Sequence, residues 1–253
     1  MWAPNVPRDA ANLLLLLHGL GDAPAAFARF ASSLALPQTS ALALQAPLLL
    51  PLGLPGQMWH DSFDDEAELI HDARRFASLA RERHRLFRLL DLLTRGCGWP
   101  RERIFLFGYA QGGVAALDVL AHLEPRGGRL GGVVSWCGLP LPEEPCILPN
   151  AAAASTPLLI VAGGSSHAAT TPHEAHLLFE RLVGRPPTPE HMTRCGPAAT
   201  DGPEQELRLL DGHAGDTMVH SPSEARLLME FWARHLALSS ALEDDPTIVR
   251  VST

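Results

Sequence analysis

Ile104-Phe105-Leu106-Phe107-Gly108-Tyr109-Ala110-Gln111-Gly112-Gly113 is the stretch on which the reading of this chain turns. A short apolar run ends in a glycine, a turn follows, and two further glycines open a helix-prone segment from Val114 to Leu123. The spacing G-x-X-x-G predicts a strand, a sharp turn and a helix, with the central residue lifted over the end of a sheet. Where such an elbow carries catalysis, its central side chain needs a lone pair. Here the residue is Ala110, and a methyl group cannot attack a carbonyl. The frame of a nucleophile elbow is present without the nucleophile.

The flanking sequence alternates strand and helix signals. Asn12 to His18 reads as a strand buried on both faces, because it is apolar almost throughout. A glycine-rich turn, His18-Gly19-Leu20-Gly21-Asp22, follows it, and Ala25 to Leu36 is helix-prone up to Pro37. Ala41 to Gln45 is a second short strand, and Pro47 to Gln57 an apolar loop rich in Pro and Leu. A long amphipathic helix is predicted over 64–94, its acidic start (Asp64, Asp65, Glu66) suited to the positive end of the helix dipole. It stops at the breaker cluster Gly96-Cys97-Gly98-Trp99-Pro100. After the elbow come a strand over 130–135, an irregular stretch over 142–156, a strand over 157–162 and a helix over 172–183. Residues 184–205 read as a long surface loop, 206–210 as the last strand, and 221–238 as a closing helix with Ser221 as its cap. Strands alternating with helices, with no internal repeat, predict a mostly parallel doubly wound α/β sheet with helices on both faces. Residues 1–238 are expected to form one domain, followed by an acidic, disordered tail at 239–253.

Composition sets limits. The chain has 253 residues, 46% hydrophobic and 19% charged, enough for one well-buried domain. A net charge of −8 with no basic run argues against nucleic acid as a partner. The five leucines Leu13 to Leu17 lack the basic flank of a signal segment, and no apolar run reaches membrane-spanning length. The four cysteines show no C-x-x-C spacing, so neither a zinc site nor a disulfide framework is expected. A cytoplasmic location follows, with the nucleus as a second possibility. All 20 basic residues are Arg. A lysine-free chain offers no side-chain ubiquitin acceptor; codon bias toward Arg, Ala, Gly and Pro explains the same fact.

Taken together and in order, these pieces resemble the phospholipase/carboxylesterase family of α/β-hydrolases, which includes acyl-protein thioesterases and lysophospholipases. The resemblance spans about residues 12 to 237. It rests on His18-Gly19-Leu20-Gly21-Asp22, on Trp59-x-Asp61, on the elbow (where the family carries Gly-Phe-Ser-Gln-Gly-Gly), on Ser135 with Leu139-Pro140, and on Gly212-His213. It implies the α/β-hydrolase fold and a Ser–Asp–His triad. The nucleophile position falls on Ala110, the acid position on Ser166, and the base position on His213, the member retained. It also implies an oxyanion hole from the backbone N–H groups of Leu20 and Gln111, and a flap over an acyl chain lined by Leu48, Leu52, Leu54 and Trp59. A trapping mutation would change one residue, so the loss of both Ser and Asp favours a native, catalytically impaired protein that holds an apolar or acyl ligand or a protein partner.

Alternatives remain at this level. The alternatives are an ester or thioester hydrolase seen as an inactive Ser→Ala variant, and a lysine-free interaction subunit acting through residues 184–205 or the tail. Glu174 or Asp216 offers a replacement acid. Ser135, Cys137, Ser165 and Ser166 lie near strand ends but not on an elbow. His173 and His176, with His167 nearby, lack the third ligand a metal needs, so neither metal nor cofactor is expected.

Overall fold

Successive side chains of a strand point to opposite faces, so a run of five leucines can be wholly buried only if both faces are covered. Leu13 to Leu17, on β1 (Asn12–Leu17), are each at most 2% exposed. Leu13, Leu15 and Leu17 enter one hydrophobic layer, Leu14 and Leu16 the other. The computed structural model describes residues 10–64, 66–70, 73–142, 150–164, 170–184, 205–211, 213 and 216–238.

Along the chain, β1 is followed by α1 (Pro24–Leu34), β2 (Thr39–Leu44), a small hairpin of β3 (Leu48–Leu49) and β4 (Gln57–Met58), and α2 (Ala73–Asp91). Then come β5 (Ile104–Tyr109), α3 (Gln111–Ala121), β6 (Gly132–Trp136), the short α4 (Ala151–Ala154), β7 (Leu158–Gly163), α5 (Pro172–Val183), β8 (Gln205–Leu210) and α6 (Pro222–His235). Among the described residues the main sheet has the order β2-β1-β5-β6-β7-β8, every pairing parallel. Parallel strands need crossovers, and right-handed crossovers in the two directions place helices on opposite faces. Accordingly α2, α3 and α5 pack in one layer, while Phe27 of α1 and Leu227, Leu228, Phe231 and Trp232 of α6 fill the other. Strand order reverses between β1 and β5, so the crevice beyond their C-terminal ends is the natural ligand site of such a sheet. The Asn12 amide ties the first strand to the segment after α6, donating to the Ala237 carbonyl (2.8 Å) and accepting from its N–H (3.1 Å).

The expected doubly wound sheet is present, with local corrections. The long helix begins at Ala73, not at Asp64. Asp64 Oδ1 instead accepts the N–H groups of Glu66 (3.1 Å) and Glu68 (2.8 Å), and Phe63 bridges Leu69. A short acidic side chain competes with the helix for backbone donors and closes a turn. Beyond Asp91 the helix widens into a π-turn, Leu92–Gly96, before the glycine cluster ends it. The loop over 47–57 contains the hairpin β3–β4. Within the stretch expected to be irregular, Asn150 caps a helix of four alanines, its Oδ1 accepting from Ala152 and Ala153. Capping boxes start α5 (Thr171 with Glu174) and α6 (Ser221 with Glu224). Residues 185–204 and the tail lie outside the described residues.

Candidate functional site

The site grows from the bend between β5 and α3. Ala110 has φ 47° and ψ −114°, a conformation that costs a residue with a Cβ on the order of 1–3 kcal/mol. It is held there by its N–H donating to the Trp136 carbonyl (2.8 Å) and its carbonyl accepting from Val114 (3.1 Å). The flanking glycines are required by close approach. A Cβ on Gly108 would meet the Gly112 carbonyl oxygen at 2.2 Å, and one on Gly112 the Leu17 oxygen at 2.2 Å. The sequence motif is therefore a built elbow, and its apex is a methyl group.

The first turn after β1 packs directly on it. A Cβ on Gly19 would lie 2.8 Å from the Tyr109 ring, and Gly19 and Asp22 close the turn by mutual hydrogen bonds (3.2 Å each). Leu20 is 40% exposed at the tip. Among the described residues, neither the Leu20 nor the Gln111 N–H donates a hydrogen bond. The Gln111 side chain is otherwise engaged: its Oε1 accepts from Trp59 N–H (2.6 Å), and its Nε2 donates to the His60 carbonyl (3.0 Å) and the Ser62 hydroxyl (2.9 Å). His18 is fully buried. Its Nε2 accepts from Ala46 N–H (3.1 Å) while Nδ1 donates to Gly19 O (2.7 Å), which fixes its tautomer.

Over this turn stands the hairpin, joined to it by Gly21 N–H donating to Gln57 O (2.9 Å). Leu52 (79%) and Leu54 (56%) are exposed, whereas Leu48 is half-buried beside Met58. Trp59 does not join them. It is 3% exposed, donates its indole N–H to His18 O (2.8 Å) and packs on the His18 ring, bracing the flap from below rather than lining its open surface.

His213 follows β8, two strands away from β6, yet its loop reaches back toward the elbow. Tyr109 Oη donates to the Asp216 carbonyl (2.7 Å), and the Trp136 indole N–H to the Thr217 carbonyl (3.0 Å). Trp136 thus holds Ala110 with its carbonyl and the histidine loop with its side chain. His213 is buried, and its Nε2 lies 2.8 Å from the Thr217 hydroxyl. Ser166, the expected acid position, lies outside the described residues, as do Ser165 and His167. Glu174 closes the cap of α5 on Thr171, and Asp216 offers its backbone carbonyl to Tyr109.

Of the other candidate nucleophiles, Ser135 and Cys137 lie among the described residues. Ser135 is fully buried and donates to Gly138 O (2.8 Å). Burial pushes the Cys137 thiol up to about 12, and that of the Tyr109 phenol likewise to about 12, so neither ionises near neutrality. His173 and His176 gather no third ligand among the described residues. The sequence reading missed a different grouping, His213 with His220 and Glu224. The spacing His213-x6-His220-x3-Glu224 was its only signal.

The profile of the phospholipase/carboxylesterase family matches residues 5–169. An uncharacterized hydrolase of Mycosarcoma maydis is 39% identical over 233 residues, 88% of this chain and 76% of that one. An uncharacterized hydrolase of Schizosaccharomyces pombe is 34% identical over 149 residues, 54% of this chain and 59% of that one. Among solved structures, SOBER1 of Arabidopsis thaliana superposes with a TM-score of 0.61 at 19% identity, covering 88% of this chain and 98% of that one. The carboxylesterase of Bacillus cereus gives 0.63 at 17%, covering 89% of each. These two likenesses speak to the fold.

Proposed function

The chain belongs to the phospholipase/carboxylesterase family of α/β-hydrolases, and from that membership we propose that it keeps the family's ligand site without its reaction. It holds an apolar, acyl-like molecule under the exposed leucines of the flap, with a carbonyl or carboxylate oxygen directed at the N–H groups of Leu20 and Gln111. The observation that carries this reading is Ala110 at the apex of a formed elbow. Loss of the nucleophile costs on the order of 10⁶ in turnover in a comparable triad enzyme, and an oxyanion hole alone supplies only about 10³–10⁴ over water. A site so reduced binds far better than it cuts. The free thiols Cys97 and Cys137 suit a reducing, cytoplasmic compartment.

A second reading has one observation in its favour: the elbow geometry is that of a working nucleophile site, so a single oxygen would complete it. Ala110→Ser assayed on a p-nitrophenyl ester separates the two. The binding-protein reading expects no gain, because Ser166 supplies no carboxylate and the Nε2 of His213 already faces Thr217. A gain of about 10³ or more would instead identify an ester or thioester hydrolase whose base and acid are in place.

A further inference from the structure

After β8 the chain brings two imidazoles and a carboxylate together. One nitrogen of His213, one of His220 and a carboxylate oxygen of Glu224 all lie within 4.8 Å of one another. The start of α6 makes this grouping. His220 and Glu224 are four residues apart across the first turn, with His220 Nδ1 3.2 Å from Glu224 Oε2, and the ring of His213 lies 5.6 Å from that of His220. His213 and Glu224 are buried, while the His220 side chain is 61% exposed. Among the described residues no other group of three such donors forms.

We propose that His213, His220 and Glu224 form a site for a divalent transition metal of the zinc class. Two imidazoles and one carboxylate are a donor set suited to zinc, and three protein ligands leave a fourth position for water or an anionic ligand. Two of the three are already held in place by hydrogen bonds. Glu224 Oε2 accepts the N–H groups of His220 (2.9 Å) and Ser221 (3.4 Å), and His213 is anchored by its N–H to Leu210 O (3.2 Å) and by the Thr217 hydroxyl at its ring. Tetrahedral zinc bonds of about 2.0–2.2 Å put donor atoms roughly 3.4 Å apart, so the group must close by about an ångström. The His220 side chain, 61% exposed, is the member of the three with room to turn. The capping box of α6 sets the position of Glu224, and the histidine beside it arrives from another element, on the loop that Tyr109 and Trp136 hold.

The proposal stands apart from the acyl-ligand reading and survives its failure. The experiment is a titration of the chelator-stripped full chain with Zn²⁺ by calorimetry, and with Co²⁺ by visible absorption. One metal per chain with micromolar or tighter dissociation is expected, together with the intense bands of tetrahedral cobalt. His220→Ala alters an exposed ring, so it folds as the parent does, and it should bind at least about 100-fold more weakly, as loss of a ligand costs no less than loss of an outer-shell partner. His173→Ala, on α5, should bind as the parent does. Equal zinc affinity in His220→Ala and the parent overturns the proposal, as does binding that falls with His173→Ala instead, or no binding by the parent below millimolar zinc.

Discussion

Ala110 is the residue in which sequence and chemistry disagree most sharply. Its backbone is strained into the form that presents a nucleophile, yet its side chain has nothing to present. Natural chains tolerate such strain only where the surroundings impose it, here through Trp136 and the close glycines around it. Glycine accepts a positive φ without a Cβ penalty, at a cost in unfolded-state entropy of up to about 1 kcal/mol. Ala110→Gly is therefore expected to raise stability by on the order of 1 kcal/mol, read as a higher urea midpoint at constant slope. A lower midpoint would mean that the bend stores no strain to release. The neighbouring Cys137, also at positive φ (59°), does not supply the missing nucleophile, because its burial keeps the thiol protonated.

At the scale of elements, the flap and the histidine loop are held by different means. The flap is a short hairpin fixed by the Gln111 amide through Trp59 and Ser62 and by Gly21 through Gln57, and it leaves Leu49, Leu52 and Leu54 outward. An exposed leucine adds little to folding, so Leu52→Ser should change stability by no more than about 0.5 kcal/mol. If the flap covers an acyl chain, the same change should weaken binding of a fluorescent fatty-acid probe several-fold, measured by titration. Unchanged probe affinity, with Leu54→Ser also silent, would remove the flap from the ligand site. The histidine loop is instead pinned by side chains from β5 and β6, Tyr109 and Trp136, which carry it across the ends of two intervening strands.

For the whole molecule, the sheet divides the apolar side chains into two layers, and α6 closes the second one beside a charged fringe. Burial, with Arg234 adjacent, pushes His235 down to about 4 from its ordinary 6.5. Between those values the unfolded chain binds the proton that the folded chain does not, so stability falls as pH drops from about 6.5 toward about 4. Thermal melting between pH 7 and pH 4.5 should show that decline, and His235→Gln should flatten it. An unchanged slope in the variant would assign the acid sensitivity to other groups. No described helix is long and apolar enough to cross a membrane.

The residues alone determined the sheet class, most strand and helix positions and the elbow, because these follow from periodicity, from glycines forced by close approach, and from a missing oxygen at position 110. The helix start could not be read. Asp64 serves equally as a first-turn acid or as a turn-closing acceptor, and only its backbone neighbours chose. Nor did Trp59 announce its burial, since an aromatic lines a pocket or fills a core according to what packs on it. The approach of His213 to His220 and Glu224 belongs to the tertiary structure alone. It depends on how far a loop from β8 is drawn back over the sheet by Tyr109 and Trp136, residues more than 70 positions earlier, and no local pattern carries a distance of that kind.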